Sequence, residues 1–246
     1  IQFMGFLYAT IDQLLNHAAR LRNRTRGRLT CPLVVRAPFG GGVHAPEHHS
    51  ESGEARFTNI PGLRVVVPSS PKRAYGLLLA AIRDPDPVLV LEPKRLYRAV
   101  KEEVADDGAA LPLDRAFTLR QGSDVSIVTW GAMTLECLEA ADELGREEID
   151  AEVIDVATLR PLDAATILAS VEKTGRCVIV HEAPLTGGFG GEIAAWIAEE
   201  LFSELDAPVR RIGALDTHVP YAPVLEDAVL PQTDDIAAAL TDLATY

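Results

Sequence analysis

The sequence predicts an α/β protein built in two successive halves. Three observations carry that expectation. Short runs that are apolar throughout, such as Val88-Leu-Val-Leu91, alternate with longer segments of helical periodicity, which is the pattern of a parallel sheet covered on both faces. The alternation lapses between Lys101 and Phe117, where charged residues, Gly108 and Pro112 give a linker-like composition. It restarts at Asp124, so a boundary near residue 110 divides the 246 residues into units 1–110 and 111–246.

In the first half, Ile11, Leu14, Leu15, Ala18 and Leu21 stand at helical spacing over Thr10 to Arg22. The arginines 20, 22, 24, 26 and 28 follow as a basic run suited to the negative end of a helix dipole. Pro32 to Arg36 and Leu63 to Val67 read as strands. Ser70-Pro71 starts a helix, with serine as the cap and proline at the first helical position, and the helix runs to Arg83. Asp84-Pro-Asp-Pro87 is a turn, and Val88 to Leu91 is the third strand. In the second half, strands are expected at Asp124 to Trp130, Ala151 to Val156, Arg176 to Val180 and Val209 to Ile212. Helices are expected after Gly131, after a cap at Asp163, from the glycines 187–191 to Phe202, and after Thr233.

The totals restrict function. Hydrophobic residues make up 48% of the chain, and mean hydropathy is +0.10, ample for buried cores. No apolar run approaches the ~20 residues that span a bilayer. The formal net charge of −13 argues against a nucleic-acid partner, because phosphate binding needs concentrated Lys and Arg. Cys31, Cys137 and Cys177 are too scattered for a disulfide framework or a zinc ribbon; they read as core filler in a reducing cytoplasm. No basic segment precedes the first apolar residues, so no signal peptide is expected. The chain begins at Ile1 inside an apolar segment, as a fragment would.

The chemistry concentrates in Val34 to Ser50. A β-branched run ends in Arg36, Ala37 and Pro38, three glycines follow at 40–42, and His44, His48 and His49 come within six residues. Glycine permits positive φ and close approach to a ligand, and imidazole suits proton transfer near neutral pH. Such a stretch fits the rim of an active site; a plain surface loop and a metal cluster are the alternatives. The glycines 187–191 at a helix start fit either phosphate binding or close helix packing. His181-Glu182 fits a structural or interface role.

The order of motifs resembles one family. Ile1-Gln-Phe-x-x-Phe6, Pro38-Phe-Gly-Gly-Gly-Val-His-x-Pro-Glu-x-His-Ser50, Leu91-Glu-Pro-Lys-Arg-Leu-Tyr-Arg98 and His181-Glu-Ala-Pro-Leu-Thr-Gly-Gly-Phe189 are similar to segments of the β subunits of thiamine-diphosphate-dependent 2-oxo acid dehydrogenases, of pyruvate or branched-chain type. The resemblance implies a parallel-sheet pyrimidine-binding domain, incomplete at its start, followed by a transketolase C-terminal-like α/β domain. It implies oxidative decarboxylation of a 2-oxo acid with acyl transfer to a lipoyl group. It makes His49 the active-site histidine and Phe6 the aromatic residue against the cofactor's aminopyrimidine ring. His44 and His48 would line or support the same cavity. Leu33, Ala81, Ile82, Asp84 and Asp86 match a structural potassium site in some relatives. The family's cofactor-activating glutamate precedes the segment that matches Ile1. An α subunit would hold magnesium and the diphosphate in an α2β2 heterotetramer, and a lipoyl acyltransferase core would be the further partner. Acetoin dehydrogenase β subunits and a non-catalytic assembly subunit are the rival readings.

Overall fold

The computed structural model describes residues 1–246, apart from the side chain of Glu147. Its strands are β1 (Val34–Phe39), β2 (Arg64–Val66), β3 (Val88–Pro93), β4 (Phe117–Arg120), β5 (Val125–Thr129), β6 (Ala151–Asp155), β7 (Thr158–Arg160), β8 (Cys177–Pro184) and β9 (Arg210–Ala214). They form two sheets, of order β1-β3-β2-β7 and β4-β6-β5-β8-β9. In the first sheet β3 pairs in parallel with both β1 and β2. In the second, β5 pairs in parallel with β6 and β8, and β8 with β9.

The expected parallel cores are there because the central strands β3, with its apolar run Val88–Leu91, and β5 are buried on both faces, and helices cover them. The helix Pro71–Arg83 starts where the sequence places it, with the Ser70 side chain accepting from the Arg73 amide at 3.3 Å. Asp163 likewise caps Ala164–Thr174 by accepting from the Thr166 amide at 3.2 Å. The last helix, Thr233–Ala244, is capped one residue earlier than expected, by a reciprocal pair between Gln232 and Asp235.

Other elements differ from expectation for identifiable reasons. The helical run of the first twenty residues is broken, with a 3-10 turn at Tyr8–Thr10 and a widened π turn over Gln13–Ala18, closed by the Ala19 amide on the Leu14 carbonyl at 2.9 Å. β1 continues through Pro38 to Phe39; β1 is an edge strand, where a missing N–H is tolerated. β8 runs on to Pro184, so His181 and Glu182 lie within the strand and not past its end, and Pro184 still pairs with Ala214 beyond an irregularity. β4 and β7 are antiparallel edge strands with mixed polar sequences, which the apolar-run criterion does not detect.

β7 comes from the second half of the chain yet joins the first sheet, pairing with β2. The largest cluster of buried side chains is correspondingly shared: Phe39, Val65 and Leu91 pack in one cluster with Val128, Trp130 and Ile179. The carboxyl ends of β1 and β3 and those of β5 and β8 meet along this junction. Leu159, fully buried in β7, belongs to it. Leu159→Ala is expected to cost about 2–5 kcal/mol. Urea unfolding followed by Trp fluorescence and by far-ultraviolet circular dichroism should give coincident, shifted transitions; separate transitions would show that the halves unfold independently.

Candidate active site

β1 delivers the chain to the junction, where it turns through Gly40 (φ 85°), Gly41 and Gly42 (φ 73°). The reason for three glycines is steric as well as conformational. A Cβ at Gly40 would stand 2.7 Å from Glu182 Oε1, at Gly41 2.9 Å from Leu230 Cδ1 and at Gly42 2.5 Å from Arg95 Cδ. The close approach that the glycines allow is therefore to side chains of this chain, two of them from the second half.

Two buried carboxylates grip the turn. Glu182 Oε1 accepts from the Gly41 amide and, at 3.2 Å, from the Ser52 hydroxyl. Glu226, from the helix Pro223–Val229, accepts from the Gly42 amide at 2.8 Å and the His44 amide at 3.0 Å. Its Oε2 also lies 2.6 Å from His44 Nδ1. Arg95, just after β3, reaches Glu136 of the helix Met133–Leu144 at 2.5 Å. Burial holds the Glu182 carboxyl above its usual value, and the Gly41 amide and Arg95 oppose that shift. A third buried acid, Glu54, accepts from Trp130 Nε1 at 3.2 Å and leaves Oε2 without a partner. Burial pushes its carboxyl up to about 7.

Between Gly42 and Ser52 lies a 3-10 turn, Glu47–His49. The His49 ring stands edge-on to Phe3, with centroids 4.2 Å apart, and edge-on to Phe6 at 6.2 Å. His49 Nδ1 is buried without a hydrogen-bond partner. Burial lowers the pKa of this imidazole, as do His48 and Lys94 beside it. Lys94, carried by the end of β3, donates to the His49 carbonyl and lies 4.9 Å over the Phe3 ring. A cleft of about 630 Å³ opens alongside, with Phe3, Gly42, Val43, Lys94 and Arg95 among its walls.

The residues singled out in the sequence fall into three groups. Phe6, His48 and His49 are together: Phe6 is 47% exposed, and His48 lies 5.8 Å from Phe6 and 4.0 Å from His49 between ring centroids. His44 is apart, turned onto Glu226, while its neighbours Val43 and Ala45 line the cleft. The proposed potassium residues are Asp84 and Asp86 in the turn before β3, Ala81 and Ile82 at the end of the helix Pro71–Arg83, and Leu33 just before β1. Asp84 pairs with Arg64 at 2.8 Å and Asp86 with Arg22 at 2.6 Å, and the Leu33 and Ala81 carbonyls accept from Val88 and Asp84. Both carboxylates are thus neutralised by arginines. Among the described residues no three His, Cys, Asp or Glu side chains stand close enough to share a metal ion. Two of the glycines 187–191 serve packing: a Cβ on Gly188 or Gly190 would stand 2.7 or 2.5 Å from the His181 ring, whereas Gly187 turns the chain at φ 68° with open space around it. That ring stacks on Trp130 at 5.3 Å, and burial pushes its pKa down to about 4.

The halves match two family profiles: transketolase, pyrimidine binding domain, over residues 1–100, and transketolase, C-terminal domain, over residues 114–236. The pyruvate dehydrogenase E1 component subunit beta of Bacillus subtilis (strain 168) is 46% identical over 236 residues, covering 96% of this chain and 72% of that protein. The 2-oxoisovalerate dehydrogenase subunit beta of the same organism is 42% identical over 247 residues, covering 100% of this chain and 76% of that protein. The chain belongs to this family of 2-oxo acid dehydrogenase E1 β subunits. A mitochondrial 2-oxoisovalerate dehydrogenase subunit beta 2 of Arabidopsis thaliana is 44% identical, covering 100% of this chain and 68% of that protein. A solved structure described as "Split gene transketolase, inactive beta4 tetramer" superposes with a TM-score of 0.72 at 26% identity, covering 99% of this chain and 75% of that one.

Sequence reasoning missed Lys94, Glu54, Glu226 and the functional side of Glu182. Lys94 and Glu182 sat in motifs already noticed, Lys94 just past the end of β3 and Glu182 inside β8. Glu54 and Glu226 gave no signal, because an isolated glutamate in a polar stretch looks like surface. For Glu54 the sign of the pH effect is set by burial. A carboxyl raised from 4.5 to about 7 favours the folded state below 4.5, and that benefit is lost as pH rises through 7. Glu54→Gln keeps the acceptor for Trp130 and removes the charge. Its stability relative to wild type should rise by roughly 3 kcal/mol between pH 4 and pH 8 in urea titrations. A constant difference across that range would show that Glu54 ionises as freely as a surface acid.

Proposed function

We propose that the chain is the β subunit of a thiamine-diphosphate-dependent 2-oxo acid dehydrogenase acting on pyruvate or a branched-chain 2-oxo acid. The observation that carries this reading is the grouping of Phe6 and His49 at the carboxyl end of β1, next to an open cleft. The residues present fit the cofactor's aminopyrimidine. Phe6 offers an exposed aromatic face, and beside it His49 Nδ1 is a buried polar atom with no partner in the chain.

The bound cofactor supplies a thiazolium, a cationic sink for the electron pair that carbon dioxide leaves behind. The chain's own residues position and move protons. Phe6 would pack against the pyrimidine. His49 stays neutral at pH 7, because burial and the neighbouring His48 and Lys94 disfavour its cation. It can therefore take a proton at a free ring nitrogen during acyl transfer to a lipoyl group. Lys94 holds the His49 carbonyl and so fixes the backbone from which the imidazole projects. His48 supports the pair from the solvent side. The partners in this reading are an α subunit, which holds magnesium and the diphosphate in an α2β2 assembly, and a lipoyl acyltransferase core. In this reading the chain works in the cytoplasm, as the scattered, unpaired cysteines suggest. Among the described residues no helix is long and apolar enough to cross a membrane.

The test is reconstitution, with the α subunit, of a β subunit that also carries the family's cofactor-activating glutamate, and assay with pyruvate and with 2-oxoisovalerate. One of the two should be turned over, and no turnover of either would overturn the reading. In that assembly His49→Ala should abolish lipoyl acylation and leave the thermal unfolding midpoint near wild type; normal complex turnover would remove His49 from the mechanism. A depressed histidine pKa also sets the sign of the pH profile. The active, neutral form persists as pH falls, so the acid limb of kcat/KM should lie below the ordinary value of 6.5. A limb above 6.5 would assign it to another group.

A further inference from the structure

The His49 turn belongs to a loop whose two ends are fastened by the other half of the chain. Gly41 and Ser52 are its first and last residues, and Glu182 Oε1 accepts from both, through the Gly41 amide and the Ser52 hydroxyl. Glu226 takes two further donors at the start of the loop, the Gly42 and His44 amides, together with contact to His44 Nδ1. Both carboxylates are buried, on β8 and on the helix Pro223–Val229. Within the first half the loop has further ties: the Gly40 amide to the Glu51 carbonyl at 2.8 Å, the Ser50 hydroxyl to the Ala45 carbonyl at 3.2 Å and Lys94 to the His49 carbonyl.

We infer that Glu182 and Glu226 are positioning residues for the His49 loop, transmitting the placement of the second half of the chain to the imidazole. This rests on the reading of His49 given above. Neither glutamate touches the imidazole, so each acts through the backbone between residues 41 and 52. The two differ in what they need. At Glu182 a single oxygen accepts both hydrogen bonds, so an amide oxygen can replace it. At Glu226 both oxygens accept backbone N–H groups, so an amide would set its NH2 against one of them. A buried donor left facing a donor is costly.

The experiment uses the assembled α/β protein with Glu182→Ala, Glu182→Gln, Glu226→Ala, Glu226→Gln and Ser52→Ala. Steady-state turnover of the 2-oxo acid is measured beside amide hydrogen exchange of peptides covering residues 40–52. Displacement of a catalytic group by about 1 Å costs on the order of 100-fold in rate, and that loss is expected in kcat, with KM little changed, for both alanine variants. Exchange in residues 40–52 should rise by about tenfold or more, the equivalent of one lost hydrogen bond. Glu182→Gln should recover most of the loss, and Glu226→Gln should not. Ser52→Ala loosens exchange only near residue 52, which tests the clamp even where an alanine variant at 182 fails to assemble. Wild-type exchange and turnover in both alanine variants would overturn the inference. So would full rescue by glutamine at both positions, which would leave only a charge-independent packing role. A wild-type assembly without 2-oxo acid turnover would instead overturn the function, and the exchange data would still decide whether the clamp exists.

Discussion

A carboxylate taken out of water must find donors, and in this protein the donors are the backbone amides of a glycine turn in the other half of the chain. That constraint organises the junction. Glu182 and Glu226 are buried, so each needs N–H or O–H groups aimed at it. Only a turn without side chains can bring consecutive amides that close; Gly41 and Gly42 supply them, and any Cβ at Gly40 would collide with Glu182 itself. The glycines and the glutamates are thus one feature written in two distant places. Gly41 and Glu182 are 141 residues apart.

Much of the architecture was legible because it follows local rules. Val88 to Leu91 could only be a strand buried on both faces, and Ser70-Pro71 and Asp163 are helix starts by hydrogen bonding that involves neighbours three residues on. What was not legible depends on partners far away in sequence. β7 is three residues of mixed polarity, and its identity as a strand comes from β2, which precedes it by about ninety positions along the chain. The glycine turn was recognised as exceptional, but a sequence cannot say whether glycine makes room for a ligand or for the protein's own side chains. The grouping of Phe6 with His49 was anticipated through family resemblance and not from spacing. His44 was expected to line or support the cavity through family resemblance; its Nδ1 lies against Glu226, a residue with no visible signal in the sequence.

The junction also separates two tasks that are often conflated. Apolar packing among Phe39, Val65, Leu91, Val128, Trp130 and Ile179 supplies adhesion between the halves. The polar contacts crossing the same surface, which include Glu182, Glu226, Arg95–Glu136, Glu54–Trp130 and the Ser69–Asp155 bond at 2.5 Å, add little of that. Buried ionic and polar pairs are frequently replaceable by apolar groups without loss of stability. Their geometry, however, is directional to a few tenths of an ångström, whereas apolar surfaces slide. A site assembled from two sheets needs that direction.

Directionality explains why the polar contacts fall where they do. They cluster at the carboxyl ends of β1, β2, β3, β5, β6 and β8, which is where an open α/β sheet has no further helix or strand to fix its loops. At β1 and β3 those loops carry His49 and Lys94; Trp130 follows β5, and Glu182 stands inside β8, two residues before its end. Each loop end that carries a group of the candidate site is tied across the junction, while the amino-terminal ends, which carry none, are left to ordinary turn chemistry such as Asp84-Pro-Asp-Pro87. The protein therefore accepts the electrostatic cost of buried acids, visible in Glu54 and Glu182, at the one edge of the fold where position decides chemistry.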